Sequence, residues 1–123
     1  MHAVVETHSF RRAANAAGVT EAELFTIVEL VAADPIAGDL MVGTGGARKL
    51  RFAAKGKGKS GGYRIITFFA AQDIPVFLLD IFTKGEKVNL SKAECNELKG
   101  ILGKLEDEWR SSVKAKIDSL GKW

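Results

Sequence analysis

The chain has 123 residues, enough for one compact domain that needs neither disulfides nor a structural metal to fold. Its 46% hydrophobic and 27% charged residues are those of a globular protein rather than a disordered one, and its single cysteine, Cys95, excludes an internal disulfide. The net charge of +3 hides a segregation: residues 40–72 hold seven basic residues and no acid, leaving 11 basic and 15 acidic residues elsewhere.

The chain opens MHAVVETHSFRR, with its basic pair after a weakly apolar start, the reverse of a secretory signal. No apolar run approaches the ~20 residues that span a bilayer. These features predict a cytoplasmic protein with no membrane partner. Residues 3–5 can form an edge strand. Thr7 or Ser9 can cap a short helix with Phe10, Ala13, Ala14 and Ala17 on one face, stopped by Gly18. Thr20 opens a second helix with Glu23 three residues on, the spacing of a capping box. Its Leu24, Ile27, Val28 and Val31 recur at helical spacing, and Asp34-Pro35 ends it.

After Gly38 the texture changes. Seven of the thirteen glycines lie between Gly43 and Gly62, so this segment needs backbone freedom or a close approach to something. Leu50 and Phe52 alternate with Lys49 and Arg51, which reads as a half-buried strand with a basic outer face. A glycine-lysine turn over 55–62 leads to a second strand over 63–70. Gln72-Asp73 turns the chain into a third over 75–83, with Pro75 at the tolerated first position. Ser91 and Glu94 form another capping box. A long amphipathic helix follows, carrying Leu98, Ile101, Leu102, Leu105, Trp109, Val113, Ile117 and Leu120. Gly100 and Gly103 weaken its interior, and Arg110-Ser111-Ser112 is a candidate break. The reading is a single domain over 1–123, with 92–120 as a C-terminal helical extension whose apolar stripe suits either core packing or a protein partner.

The seven central cations are Arg48, Lys49, Arg51, Lys55, Lys57, Lys59 and Arg64. Such a concentrated positive field favours a polyanion, a solvated lysine-rich loop being the bland alternative. The glycines between Lys55, Lys57 and Lys59 let backbone approach a nucleic-acid strand while the ammonium groups face phosphates. Arg64, on the strand that follows, can hold a phosphate through two parallel hydrogen bonds. Gly58-Lys59-Ser60 looks like the end of a phosphate-binding P-loop, but Ala53 stands where that motif needs glycine, and strands flank it where a helix should follow. His2 and His8 lie far from the basic segment and read as surface residues. Asp73, Asp80 and Glu86 are too dispersed for a carboxylate metal cluster, and Cys95 has no histidine nearby to activate it. No cofactor and no metal are expected.

At this point a resemblance enters. Gly38-Asp39, the run G-T-G-G-A-R-K-L-R from Gly43 to Arg51, and G-K-S-G-G-Y-R-I-I from Gly58 to Ile66 resemble the core of RelE/ParE-superfamily toxins, in particular the HigB-like branch. Lys84-Gly-Glu86 and Asn89-Leu-Ser91 resemble the segment after that branch's last core strand. The likeness runs over roughly residues 20–100 and leaves the last twenty or so outside it. It implies an α+β fold with two N-terminal helices packed on a small antiparallel sheet. It also implies a type II toxin neutralised by a cognate antitoxin.

Active relatives cut messenger RNA on the ribosome without a metal, a ribose 2′-oxygen attacking the adjacent phosphate. That chemistry needs a group to take the 2′ proton, cations on the phosphorane and help for the leaving 5′-oxygen. The resemblance assigns Arg64 and Lys84 to the reacting phosphate and Lys57 to acid–base duty, with Lys55 or Lys59 as substitutes. A free lysine titrates near ~10.4, so base duty needs a lowered pKa, which neighbouring cations supply. Arg48, Lys49 and Arg51, with Lys55 and Lys59, become ribosomal or messenger RNA contacts.

The chain departs from the pattern at Phe68, Phe69 and Phe82, where relatives often carry tyrosine. Tyr63 is the sole tyrosine, and strand alternation puts it on the face opposite Arg64. Two alternatives stay open: a ParE-like gyrase inhibitor, and an RNA- or ribosome-binding protein that does not cleave.

Overall fold

The computed structural model describes residues 1–53, 62–83 and 90–120. The fold is α+β, with two N-terminal helices on a sheet and a long helix after it. Helix α1 (His8–Ala16) starts where Thr7 accepts a hydrogen bond from the Phe10 amide at 3.2 Å. Helix α2 (Glu21–Ala33) starts at a complete capping box. The Glu23 amide donates to Thr20 Oγ1 at 3.1 Å, and the Thr20 amide donates back to Glu23 Oε1 at 2.9 Å. Gly18 joins the two helices at φ 73°, in the left-handed region that glycine enters without strain.

The sheet has five strands in the order β1-β5-β4-β3-β2: β1 Val4–Glu6, β2 Asp39–Leu40, β3 Ala47–Phe52, β4 Tyr63–Phe68 and β5 Val76–Thr83. Strands β2 to β5 are mutually antiparallel, the expected meander with one more short edge strand. The first strand does join, but parallel to β5, so the sheet is mixed rather than purely antiparallel. A tight turn forces antiparallel pairing. Here most of the chain lies between Val4 and its partner Val76, so no turn dictates direction.

Two apolar layers sandwich the sheet. On one face Tyr63, Ile65, Val76, Leu78 and Ile81 pack against Phe10 and Ala14 of α1 and Ile27 and Val31 of α2. On the other, Ala47, Ile66, Phe68, Phe77 and Phe82 pack against Leu102 of α3 (Lys92–Leu120), with Leu98, Leu105 and Trp109 half-buried beside it. Helix α3 opens with its predicted capping box: the Glu94 amide donates to Ser91 Oγ at 3.1 Å and the Ser91 amide to Glu94 Oε1 at 3.0 Å. It runs unbroken through Arg110-Ser111-Ser112, where the sequence suggested a break. Arg110 holds that point, donating to both oxygens of Asp73 in the β4–β5 turn at 2.6 and 3.3 Å. Gly100 and Gly103 have open space around them, so the helix tolerates them on its outer side.

His2 differs from the expectation of a surface residue. Its Nε2–H donates to the Ile74 carbonyl at 2.6 Å, and its ring meets Phe69 edge-on at 5.0 Å, because the chain start is tucked beside the β4–β5 turn. His8 is exposed, as expected.

Two outcomes test this packing. At Gly38 (φ 94°) an added Cβ would lie 2.6 Å from the Lys49 carbonyl oxygen, so Gly38→Ala should lower unfolding free energy in urea by more than ~1 kcal/mol. The Arg110 hydrogen bond holds the Asp73 carboxyl below its ordinary range. A depressed carboxylate stabilises the fold above its unfolded pKa and loses that contribution as pH falls through the folded value. Asp73→Asn should therefore lower stability slightly at every pH above about 4, where the carboxylate's contribution is present, and make acid unfolding below that less steep.

Candidate nucleic-acid interface

The basic segment is organised by the pairing of β3 with β4. Arg51 lies directly opposite Arg64, and Arg64 lies opposite Phe82 of β5. Residues opposed in this way share a face, and this row shares the face that carries Ala47, Ile66, Phe68 and α3. The next row, one pleat repeat or ~7 Å along the strands, is Asp39, Lys49, Ile66 and Asp80. The charges of the Arg51–Arg64–Phe82 row are therefore all positive, while carboxylates bound the Lys49 row at both ends.

Two like charges directly opposed weaken a sheet, so the Arg51–Arg64 pair gives the fold nothing that two neutral residues would not. Arg51 is exposed and Arg64 half-buried. Among the described residues, no side-chain hydrogen bond or ion pair engages Lys49, Arg51 or Arg64. Helix α3 packs on this face through Leu102, in one cluster with Ala47, Ile66, Phe68, Phe77 and Phe82. What remains is a cationic platform at the end of the sheet formed by the end of β3, the start of β4 and the end of β5.

The residues expected to act together separate into three groups. Lys49, Arg51 and Arg64 share the platform. Arg48 points to the opposite face, where its guanidinium donates to the carbonyls of Ile36 at 3.1 Å and Gly38 at 3.4 Å, tying the chain between α2 and β2 to β3. Lys55, Lys57, Lys59 and Lys84 lie outside the described residues. Tyr63 is buried on the α1–α2 face, opposite Arg64, as strand alternation predicts. Phe68 and Phe82 are both buried on the platform face, Phe82 beside Arg64.

The glycine-rich stretch before β3 approaches α3 rather than a ligand. Gly43, Gly45 and Gly46 all have positive φ, and a Cβ on Gly45 would meet Lys99 of α3 at 3.1 Å. Thr44, fully buried between them, donates to the Met41 carbonyl at 2.6 Å and accepts from the Ala47 amide at 3.1 Å. This turn sets where β3 begins, and so which of its residues stand on the platform.

No group of three potential metal ligands occurs among the described residues, and none of their helices is long and apolar enough to cross a membrane. The fold defines a small basic α+β protein with an arginine row at one end of its sheet. The comparison with protein families narrows this. The family described as the RelE toxin of the RelE/RelB toxin–antitoxin system matches residues 2–120, and the chain belongs to that family. Its role is that of a toxin whose cognate partner is an antitoxin. The match also takes in the C-terminal helix, which the motif resemblance left outside.

If the platform meets phosphates, Arg51→Ala and Arg64→Ala should each weaken RNA binding and reduce the slope of log affinity against log salt by about 1. Arg48→Ala should leave that slope unchanged and lower stability instead, as titrations across salt together with urea unfolding would report.

Proposed function

We propose that the chain is a ribosome-dependent, metal-independent messenger RNA endonuclease, acting in the cytoplasm as the toxin of its pair. The observation that carries this reading is the Arg51–Arg64 row. Two arginines are paired directly opposite one another on one face of the sheet, with no carboxylate in their own row. Guanidiniums in this arrangement bind a phosphate through paired hydrogen bonds and gain strength as its oxygens take on charge in a phosphorane.

In this reading Arg64 and Lys84 stabilise the reacting phosphate and Lys57 moves the proton between the ribose 2′-oxygen and the leaving 5′-oxygen. Lys84 is next in sequence after Thr83, whose partner in the sheet is Tyr63, the neighbour of Arg64, and that chain order supports the pairing of roles. Arg51 and Lys49, with Lys55 and Lys59, contact the RNA backbone. The HigB-like motif around residues 43–66 supports the same assignment. Arg48 is used within the fold, and its loss should act through stability.

Phe82 favours a second reading, RNA or ribosome binding without cleavage. Where many relatives place a tyrosine hydroxyl, this chain places an apolar ring against Arg64.

Mapping the 5′ ends of cellular messages after induction separates the readings. Wild type should create new ends inside translated frames, lost when initiation is blocked, and Arg64→Ala/Lys84→Ala should create none. In vitro, Arg64→Ala should slow cleavage of a ribosome-bound message by roughly 10²-fold or more. Growth arrest without new ends would point to gyrase inhibition, and binding without either would leave the non-cleaving reading.

A further inference from the structure

The apolar line of α3 does not end where its packing ends. Leu102 is buried and Trp109 meets Phe77 edge-on at 5.7 Å. Farther along, Val113 is 38% exposed, Ile117 60% and Leu120 68%. At about 100° per residue these three and Trp109 fall within ~80° of one another, on one stripe. A scattered apolar side chain on a surface is ordinary, whereas a continuous stripe marks a face that meets a partner.

The stripe borders a trough. Between these turns of α3 and the β4–β5 turn lies a hollow of about 230 Å³, lined by Ile74, Trp109, Val113 and Ile117 together with Asp73, Arg110 and Lys114. A second hollow of about 390 Å³ shares Asp73, Ile74, Trp109 and Val113 and carries the trough on to Met1 and Pro75. Among the described residues Asp73 is the only acid lining either one, and Arg110 holds both of its oxygens. Arg110 also lies 3.6 Å from Glu106. Lys114 and Lys116 have no ion pair among the described residues. Helical spacing sets them on opposite sides of the stripe, Lys114 ~60° beyond Ile117 and Lys116 ~40° beyond Leu120. Asp118 lies ~140° from Val113, away from it. The stripe thus runs between two uncompensated positive charges.

That charge pattern selects the occupant. In a twofold pair of this chain each flank would meet the same flank of the copy, setting lysine against lysine. An antitoxin is the partner that the family gives the chain. We propose that the trough anchors an acidic amphipathic segment of the cognate antitoxin, its apolar side on Trp109, Val113, Ile117 and Leu120 and its carboxylates beside Lys114 and Lys116. The anchor lies at the end of the sheet where β4 passes to β5. Arg64 is at the other end of β4, ~13 Å back along the strand from Phe68. The partner is therefore gripped apart from the arginine row, and the inference stands whether or not the chain cleaves RNA.

Hydrogen exchange on the toxin, alone and in complex with its full-length cognate antitoxin, tests the anchor without any substitution. Residues 113–120 form an exposed helix end, and the complex should slow exchange of their amides by about tenfold or more. Ile117→Ser should raise the dissociation constant of the complex by about tenfold or more at any salt concentration. Lys114→Glu/Lys116→Glu should do so at about 0.1 M salt and much less at about 1 M, where the charges are screened. Unchanged exchange over these turns would overturn the proposal, as would affinities within about twofold of wild type in both variants. A wild-type dimer that Ile117→Ser dissociates in the absence of antitoxin would give the stripe to a second copy instead. RNA binding lost in the lysine variant, with antitoxin affinity intact, would give it to RNA.

Discussion

Strand β4 is buried on both faces, and its register decides everything that stands on the sheet. Tyr63 and Ile65 point to the α1–α2 layer, and Ile66 and Phe68 to the α3 layer. A slip of one residue would send each side chain to the wrong face, and Arg64 would enter the hydrophobic layer beneath α1. Burying an unpaired guanidinium there would cost several kcal/mol, so the apolar neighbours pin the arginine to the open face. The β-bulge between Ile66 and Thr67 falls inside this strand's pairing with β5. Beyond it Asp80 is opposite Ile66 but Leu78 is opposite Thr67, which leaves Leu79 as the extra residue of the bulge.

The platform is a by-product of how the two layers are closed. Helix α3 covers only part of its face, with Leu102 as its fully buried anchor. The glycine turn around Thr44 lets the helix sit close to the start of β3, and Arg110 fastens its later part to Asp73. Those contacts lie toward one end. At the other end the cations of β3 and β4 are paired in register, Arg51 exposed and Arg64 half-buried. Stability and binding are thereby assigned to different stretches of the same strands.

Much of this was legible in the sequence, for reasons specific to each element. Thr20 with Glu23 and Ser91 with Glu94 announce helix starts because the capping box is a local geometry, satisfied within four residues. The alternation of β3 and β4 announces faces because the pleat has a period of two. Less accessible was any feature set by distant parts of the chain. The parallel pairing of β1 depends on a partner more than seventy residues away. Arg48 looks identical to Lys49 and Arg51 in a basic run, and only the course of residues 36–38 turns it into an internal tie. The continuity of α3 depends on Asp73, thirty-seven positions from Arg110.

The pairing of β1 with β5 also orders events in time. Helices α1 and α2 can form early, yet the strand faces they cover include Val76, Leu78 and Ile81, which leave the ribosome only after most of the chain has been made. Until then the apolar sides of both helices have no sheet to meet, and β1 has no neighbour. Chains dominated by such distant contacts fold slowly and expose sticky intermediates meanwhile. The Arg51–Arg64 row belongs to the local β3–β4 pairing, but the layers that fix β4 from both faces are complete only once β5 and α3 have been made.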